Sequence, residues 1–222
     1  MVDIIIKYIS IFLALMLVLS LHEFAHGFVA VKCGDYTPKL YNRYTLNPLA
    51  HFDPIGLICF AIIGFGWAKP MPVNPRNFKN YKLGSFFVSI AGVVANYLLA
   101  FLVFPLLFLA KSYIPPFGYY TVVLVQSLNY AFRLSLVFLV FNLIPLYPLD
   151  GFRLVDAFNK RRGKVYMFLR NNGIFALYTF FFLGIFADVT GIYQFDVLGN
   201  LINYVVSIIE KTILLFWGLI LP

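Results

Sequence analysis

The chain has 222 residues, of which 62% are hydrophobic and only 12% charged, and its mean hydropathy is +0.87. Soluble globular domains carry roughly 25% charged residues, so the composition excludes an ordinary soluble protein and points to a lipid bilayer. The net charge of +8 does not imply nucleic acid, because the basic residues lie beside apolar runs, as cytoplasmic loops do.

The first apolar run extends from Ile4 to Leu21 and continues directly into His22-Glu23-Phe24-Ala25-His26. It lacks the small-residue cleavage site of a signal peptide and reads as a helix from Ile4 to Cys33, stopped by Gly34. Residues 35–54 form a polar loop rich in turn residues. The apolar stretch Ile55–Trp67 is interrupted by Gly56, Gly64 and Gly66. It is short against the roughly 20 residues a span needs and is expected to be a re-entrant or β-hairpin element. An exposed strand edge within Ile55–Val73 would suit an extended peptide by strand addition. Pro70, Pro72 and Pro75 then forbid a regular helix.

Three further spans are expected at Ser85–Ala110, Tyr120–Leu146 and Gly173–Val189. The apolar stretch Val197–Leu221, interrupted by Glu210 and Lys211, either crosses the membrane or lies on it. The fold class that follows is an all-α polytopic membrane protein of four to six membrane segments, with one small membrane-associated β-hairpin or re-entrant element. A single domain covering residues 1–222 is expected, since no polar stretch is long enough for a separate soluble domain. Seven Lys/Arg lie from Lys32 to Lys82 and six from Arg153 to Arg170, while the opposite connections carry few. The positive-inside rule puts both basic regions in the cytoplasm and the N-terminus outside.

The chemistry concentrates at the end of the first helix. Residues i and i+4 share a helix face, so the imidazoles of His22 and His26 can approach one ion, and Glu23 can reach a water on it as general base. The chain holds only three histidines, and ionisable groups at the end of an apolar helix are costly enough to imply function. A catalytic zinc commonly takes three protein ligands. Lys32 stands where a metzincin-like pattern would place a third histidine, and the other glutamate, Glu210, is near the C-terminus. His51 remains open as a ligand or as loop architecture. Asp150 is the strongest candidate, because it follows a long apolar span interrupted by Pro145 and Pro148, and Gly151 offers backbone freedom to turn the carboxylate inward. The charge bias places it on the same side of the membrane as the histidines. Cys33 lies too far along the helix to share the ion, and Cys33 and Cys59 do not make a disulfide framework.

HEFAH and the stretch Asn142-Leu-Ile-Pro145-Leu-Tyr-Pro148-Leu-Asp150-Gly151 together resemble the site-2 protease family of intramembrane zinc metalloproteases. GWAKPMPVNP and TLNPLAHFDPIG also resemble segments of its small bacterial and archaeal members. The resemblance runs in order along nearly the whole chain and fits the minimal form, without PDZ or CBS sequence. It implies one Zn2+ per chain held by His22, His26 and Asp150, with Glu23 as catalytic base. It also implies substrate contacts from Asn142, and from Asn96 at the end of Gly92-Val-Val-Ala-Asn96. For Gly92 itself, close helix packing is the plainer reading, as interhelical hydrogen bonding is for Asn96.

The implied partners are a membrane protein or peptide substrate and the lipid bilayer. The implied location is a prokaryotic cell membrane, with the site toward the cytoplasm. Gln126, Asn129 and Arg133 share one face of the third span and read as an internal polar anchor or a hydrated path. Lys160-Arg161-Arg162-Gly163-Lys164 reads as an anchor at anionic headgroups. A metal transporter or a non-proteolytic scaffold using the same residues are the alternatives. A transporter would not need Glu23 beside the metal, and a scaffold would not need His22.

Overall fold

The computed structural model describes residues 1–56, 68–115, 118–159 and 161–221. Among them are six helices longer than two turns. These are α1 (Val2–Lys32), α2 (Tyr81–Tyr113), α3 (Tyr119–Asn142), α4 (Asp150–Phe158), α5 (Lys164–Thr190) and α6 (Val197–Gly218). All but α4 are long and apolar enough to cross a membrane. The protein is an integral membrane protein of all-α, polytopic architecture. Val197–Gly218, which the sequence left undecided, forms a helix of 22 residues, about the length a bilayer core requires. The expected hairpin falls mostly on residues 57–67, outside the described residues. Among those described, extended pairing is confined to one antiparallel bridge between Phe52 and Ala68, and no hairpin is seen.

Two compact units make up the chain, residues 1–135 and 136–222. In the first unit, α1 packs chiefly along α2. Each helix buries a stripe recurring at intervals of about four residues, the ridge that α-helical geometry presents for packing. On α1 the stripe is Ile6, Ser10, Ala14, Val18, His22, His26 and Ala30. On α2 it runs Gly84, Val88, Gly92, Asn96, Ala100, then Val103 and Leu107. Small residues on both let the backbones approach, which is how helices associate where lipid removes the hydrophobic drive between them. The two histidines are part of this packed seam and do not lie on a lipid-facing surface.

Gly34 ends α1 as expected, with φ +109°. The Gly34 N–H donates to the Val31 carbonyl and the Asp35 N–H to that of Ala30, the paired closing bonds of a left-handed C-terminal stop. That turn delivers Asp35 into the interior. From Ala68 an extended strap returns over α1, and it is pinned where Lys69 N–H donates to the His51 carbonyl and Lys79 N–H to that of Cys33. Phe78 closes the strap against Ala30 and Val88. Asn80 then caps α2, accepting from the N–H groups of Lys82 and Leu83, which fixes where α2 begins.

In the second unit, the chain leaves α3 at Asn142 and re-enters helix at Asp150. Tyr147–Pro148 is cis. Phe152 packs between Tyr147 and Tyr166 at centroid separations of 5.9 and 5.3 Å. The Tyr166 hydroxyl donates to Asp156, tying α4 to the start of α5. A Cβ on Gly173 would collide with the Tyr147 backbone, so glycine lets α5 pass close to the turn. α5 packs in turn against α6.

Candidate metal centre

His22 and His26 are 5% and 2% exposed, and their Nε2 atoms face each other at 3.0 Å. Each Nδ1 is held by α2. His26 Nδ1 lies 2.6 Å from the Val88 carbonyl oxygen, and His22 Nδ1 lies 3.2 Å from the Asn96 side-chain amide. A carbonyl only accepts, so His26 must carry its proton on Nδ1 and turn an unprotonated Nε2 toward His22. Tetrahedral zinc at about 2.0–2.1 Å from each nitrogen sets two ligand nitrogens roughly 3.3 Å apart, so this pair admits an ion with a small opening of the rings.

Gly92 lies directly beneath the pair. A Cβ built there would fall on both imidazole rings, at 2.5 Å from His26 Nε2 and 2.6 Å from His22 Nδ1. The close packing read from the sequence is present, but the groups brought close are the two imidazoles. The spacing to Asn96 signals this in retrospect, because Val88, Gly92 and Asn96 repeat every fourth residue on the face α2 turns to α1.

Glu23 is half-buried one position round the helix. Its Oε2 accepts the Met71 N–H at 2.5 Å. Pro70 and Pro72 have no N–H, so Met71 supplies the single donor between them, and that donor goes to Glu23. The Met71 side chain lies over Gly27, whose absent Cβ makes room for it. Sequence reading took this proline-rich strap as a helix breaker and as part of a segment resembling the family's, and missed that it carries a contact to the candidate base.

Asp35, the first residue of the polar loop 35–54, is 0% exposed. Burial acts to raise its pKa. The Thr37 hydroxyl, the Asn74 N–H, the Asn77 amide and the Thr37 N–H all donate to it and outweigh that effect, holding the carboxyl below its ordinary 3.8. The cluster clamps the strap to the end of α1. His51, left open above, is fully buried in the turn Pro48–His51, with its Nε2 2.7 Å from the Thr45 carbonyl. That nitrogen serves loop architecture.

In the second unit, Asp150 is buried at the first turn of α4, where a helix N-terminus favours a carboxylate. Its Oδ1 lies 3.8 Å from the Arg153 guanidinium. Gly151 does not serve by the expected freedom of φ, since it takes no positive value there. Its missing Cβ instead avoids the Leu143 and Ile144 carbonyl oxygens, so α4 starts tight against the preceding turn. Asn142 is half-buried, and its amide nitrogen donates to the Phe138 carbonyl at 3.0 Å. In α3, Gln126 is half-buried while Asn129 and Arg133 are exposed.

No family model matches the chain, and no solved structure does. Two curated proteins are similar in sequence. YwhC of Bacillus subtilis (strain 168) is 45% identical over 145 residues, 65% of this chain and 66% of that protein. Rip2 of Mycolicibacterium smegmatis is 30% identical over 156 residues, 66% of this chain and 58% of that protein. Both carry the name "putative zinc metalloprotease". The chain thus spans two thirds or less of the length of either relative. With the His-Glu-x-x-His turn packed in the membrane seam, these similarities identify the chain as a member of the site-2 protease family.

Proposed function

We propose that the chain is an intramembrane zinc endopeptidase that cuts membrane proteins within or beside a transmembrane segment, near the cytoplasmic face. The observation that carries this is the convergence of two buried Nε2 atoms, each imidazole fixed through its Nδ1 by α2, with Glu23 on the adjacent helical position. His22, His26 and Asp150 are the proposed ligands of one Zn2+. In support, the two imidazoles are buried and converge through Nε2, and Asp150 is buried at the first turn of α4, at the end of the Asn142–Gly151 stretch that resembles the family's second motif.

Zinc, when bound, supplies Lewis-acid polarisation of the scissile carbonyl and acidifies water at neutral pH. Everything else falls to side chains. Glu23 takes a proton from the attacking water and returns it to the leaving amide nitrogen. The Met71 N–H on Oε2 fixes the carboxylate plane and leaves Oε1 for that transfer. Asn142, with its amide nitrogen bound to its own helix, offers its oxygen to a substrate backbone N–H. A single catalytic domain over residues 1–222 is part of this proposal. The positive-inside bias puts the C-terminal end of α1, and therefore the site, toward the cytoplasm of a prokaryotic cell.

The experiment is a comparison of the membrane proteome in cells carrying the intact enzyme or Glu23→Gln. The proposal expects at least one membrane protein shortened only by the intact enzyme. Identical proteomes would leave a scaffold, and zinc transport that survives Glu23→Gln would make it a transporter.

A further inference from the structure

Asn96 is 0% exposed. Its amide nitrogen lies 3.2 Å from His22 Nδ1, while its buried Oδ1 has no hydrogen-bond partner among the described residues. The Val88 carbonyl requires a proton on His26 Nδ1 and so turns the other ring nitrogen toward His22. For His22 to present Nε2 to an ion in the same way, its Nδ1 must carry the proton and needs an acceptor beside it. The Asn96 amide is the group at that position.

We propose that Asn96 is a positioning residue for His22, acting through its amide oxygen. A half-turn of the amide places Oδ1 against His22 Nδ1–H as its acceptor, and Nε2 then presents its lone pair to the ion, the neutral imidazole keeping its single proton on Nδ1. This orientation gives the orphaned oxygen a partner. Amide oxygen and nitrogen are nearly the same size, so it requires no repacking in the seam around Gly92. A hydrogen-bond acceptor behind a ligating histidine fixes both tautomer and ring orientation. Full burial and the contact to a ligand suit this role better than direct contact with substrate.

The inference rests on the zinc reading above, and the test separates the two. Purified protein in detergent is titrated with zinc against a chelator of known affinity. The Co2+-substituted protein is followed by its visible absorption, and KM and kcat are measured on a cleaved substrate. Asn96→Ala and Asn96→Leu should weaken zinc binding about 10–100-fold and alter the Co2+ spectrum. Asn96→Asp, which keeps only acceptors, should restore both toward wild type. Unfolding of each metal-free variant establishes that the fold is intact. Wild-type zinc affinity in Asn96→Ala with a raised KM would overturn the assignment and return Asn96 to substrate binding. A wild-type chain that binds no zinc would overturn the metalloprotease reading, and this assignment with it.

Discussion

The three histidines of the chain are nearly equally buried, at 5% for His22, 2% for His26 and 0% for His51, yet they do different work. His51 spends Nε2 on the Thr45 carbonyl, six residues back in its own loop. His22 and His26 spend Nδ1 on a neighbouring helix, more than sixty residues away in sequence, and keep Nε2 for each other. Burial therefore does not distinguish a ligand from an architectural histidine. What distinguishes them is which ring nitrogen the scaffold consumes and whether the remaining one converges with another donor.

The largest expected effect tests that distinction directly. His22→Ala or His26→Ala should remove zinc and reduce proteolysis to background, as should a strong chelator, with zinc restoring the chelated enzyme. His51→Ala should retain zinc and lose about 1–3 kcal/mol of stability through the missing hydrogen bond and volume. Metal analysis beside thermal unfolding reads both, and a zinc-free His51→Ala would erase the contrast.

Next in size is Glu23→Gln, expected to lower kcat about 10²–10⁴-fold while zinc content stays at the wild-type level. Loss of both together would make Glu23 a structural element of the site. Gly92→Ala sharpens the comparison from the other side of the seam. Alanine favours helix over glycine by about 1 kcal/mol, but its Cβ meets both imidazoles, so zinc affinity should fall about 10-fold or more while α2 persists by circular dichroism.

The smallest effect on chemistry comes from Asp35→Ala, which strands buried donors and should destabilise by at least about 3 kcal/mol without displacing zinc. Folding lowers the Asp35 pKa, so its contribution is fully present above the ordinary 3.8 and is lost as pH falls through the lower folded value. A stability-against-pH curve should lose that acid limb in the variant.

Much of this was legible in the sequence because the signals were local. Apolar run length gave the spans, Gly34 the end of α1, and the spacing of His22, Glu23 and His26 one helical face. What escaped depended on contacts across long stretches of chain. Asp35 looks like any loop aspartate until Asn74 and Asn77 arrive from the strap. Met71 looks like filler between prolines until its N–H finds Glu23. Gly151 carried the right expectation of importance for the wrong reason. A lone glycine signals either backbone freedom or a close neighbour, and only the position of the Leu143 and Ile144 carbonyls decides.

The most direct test of the central claim is zinc stoichiometry in detergent-purified protein, measured side by side for wild type, Glu23→Gln, His26→Ala and Asp150→Ala. The account predicts one zinc per chain in the first two and far less in the last two. An Asp150→Ala protein that holds zinc as tightly as wild type would contradict the proposed coordination sphere.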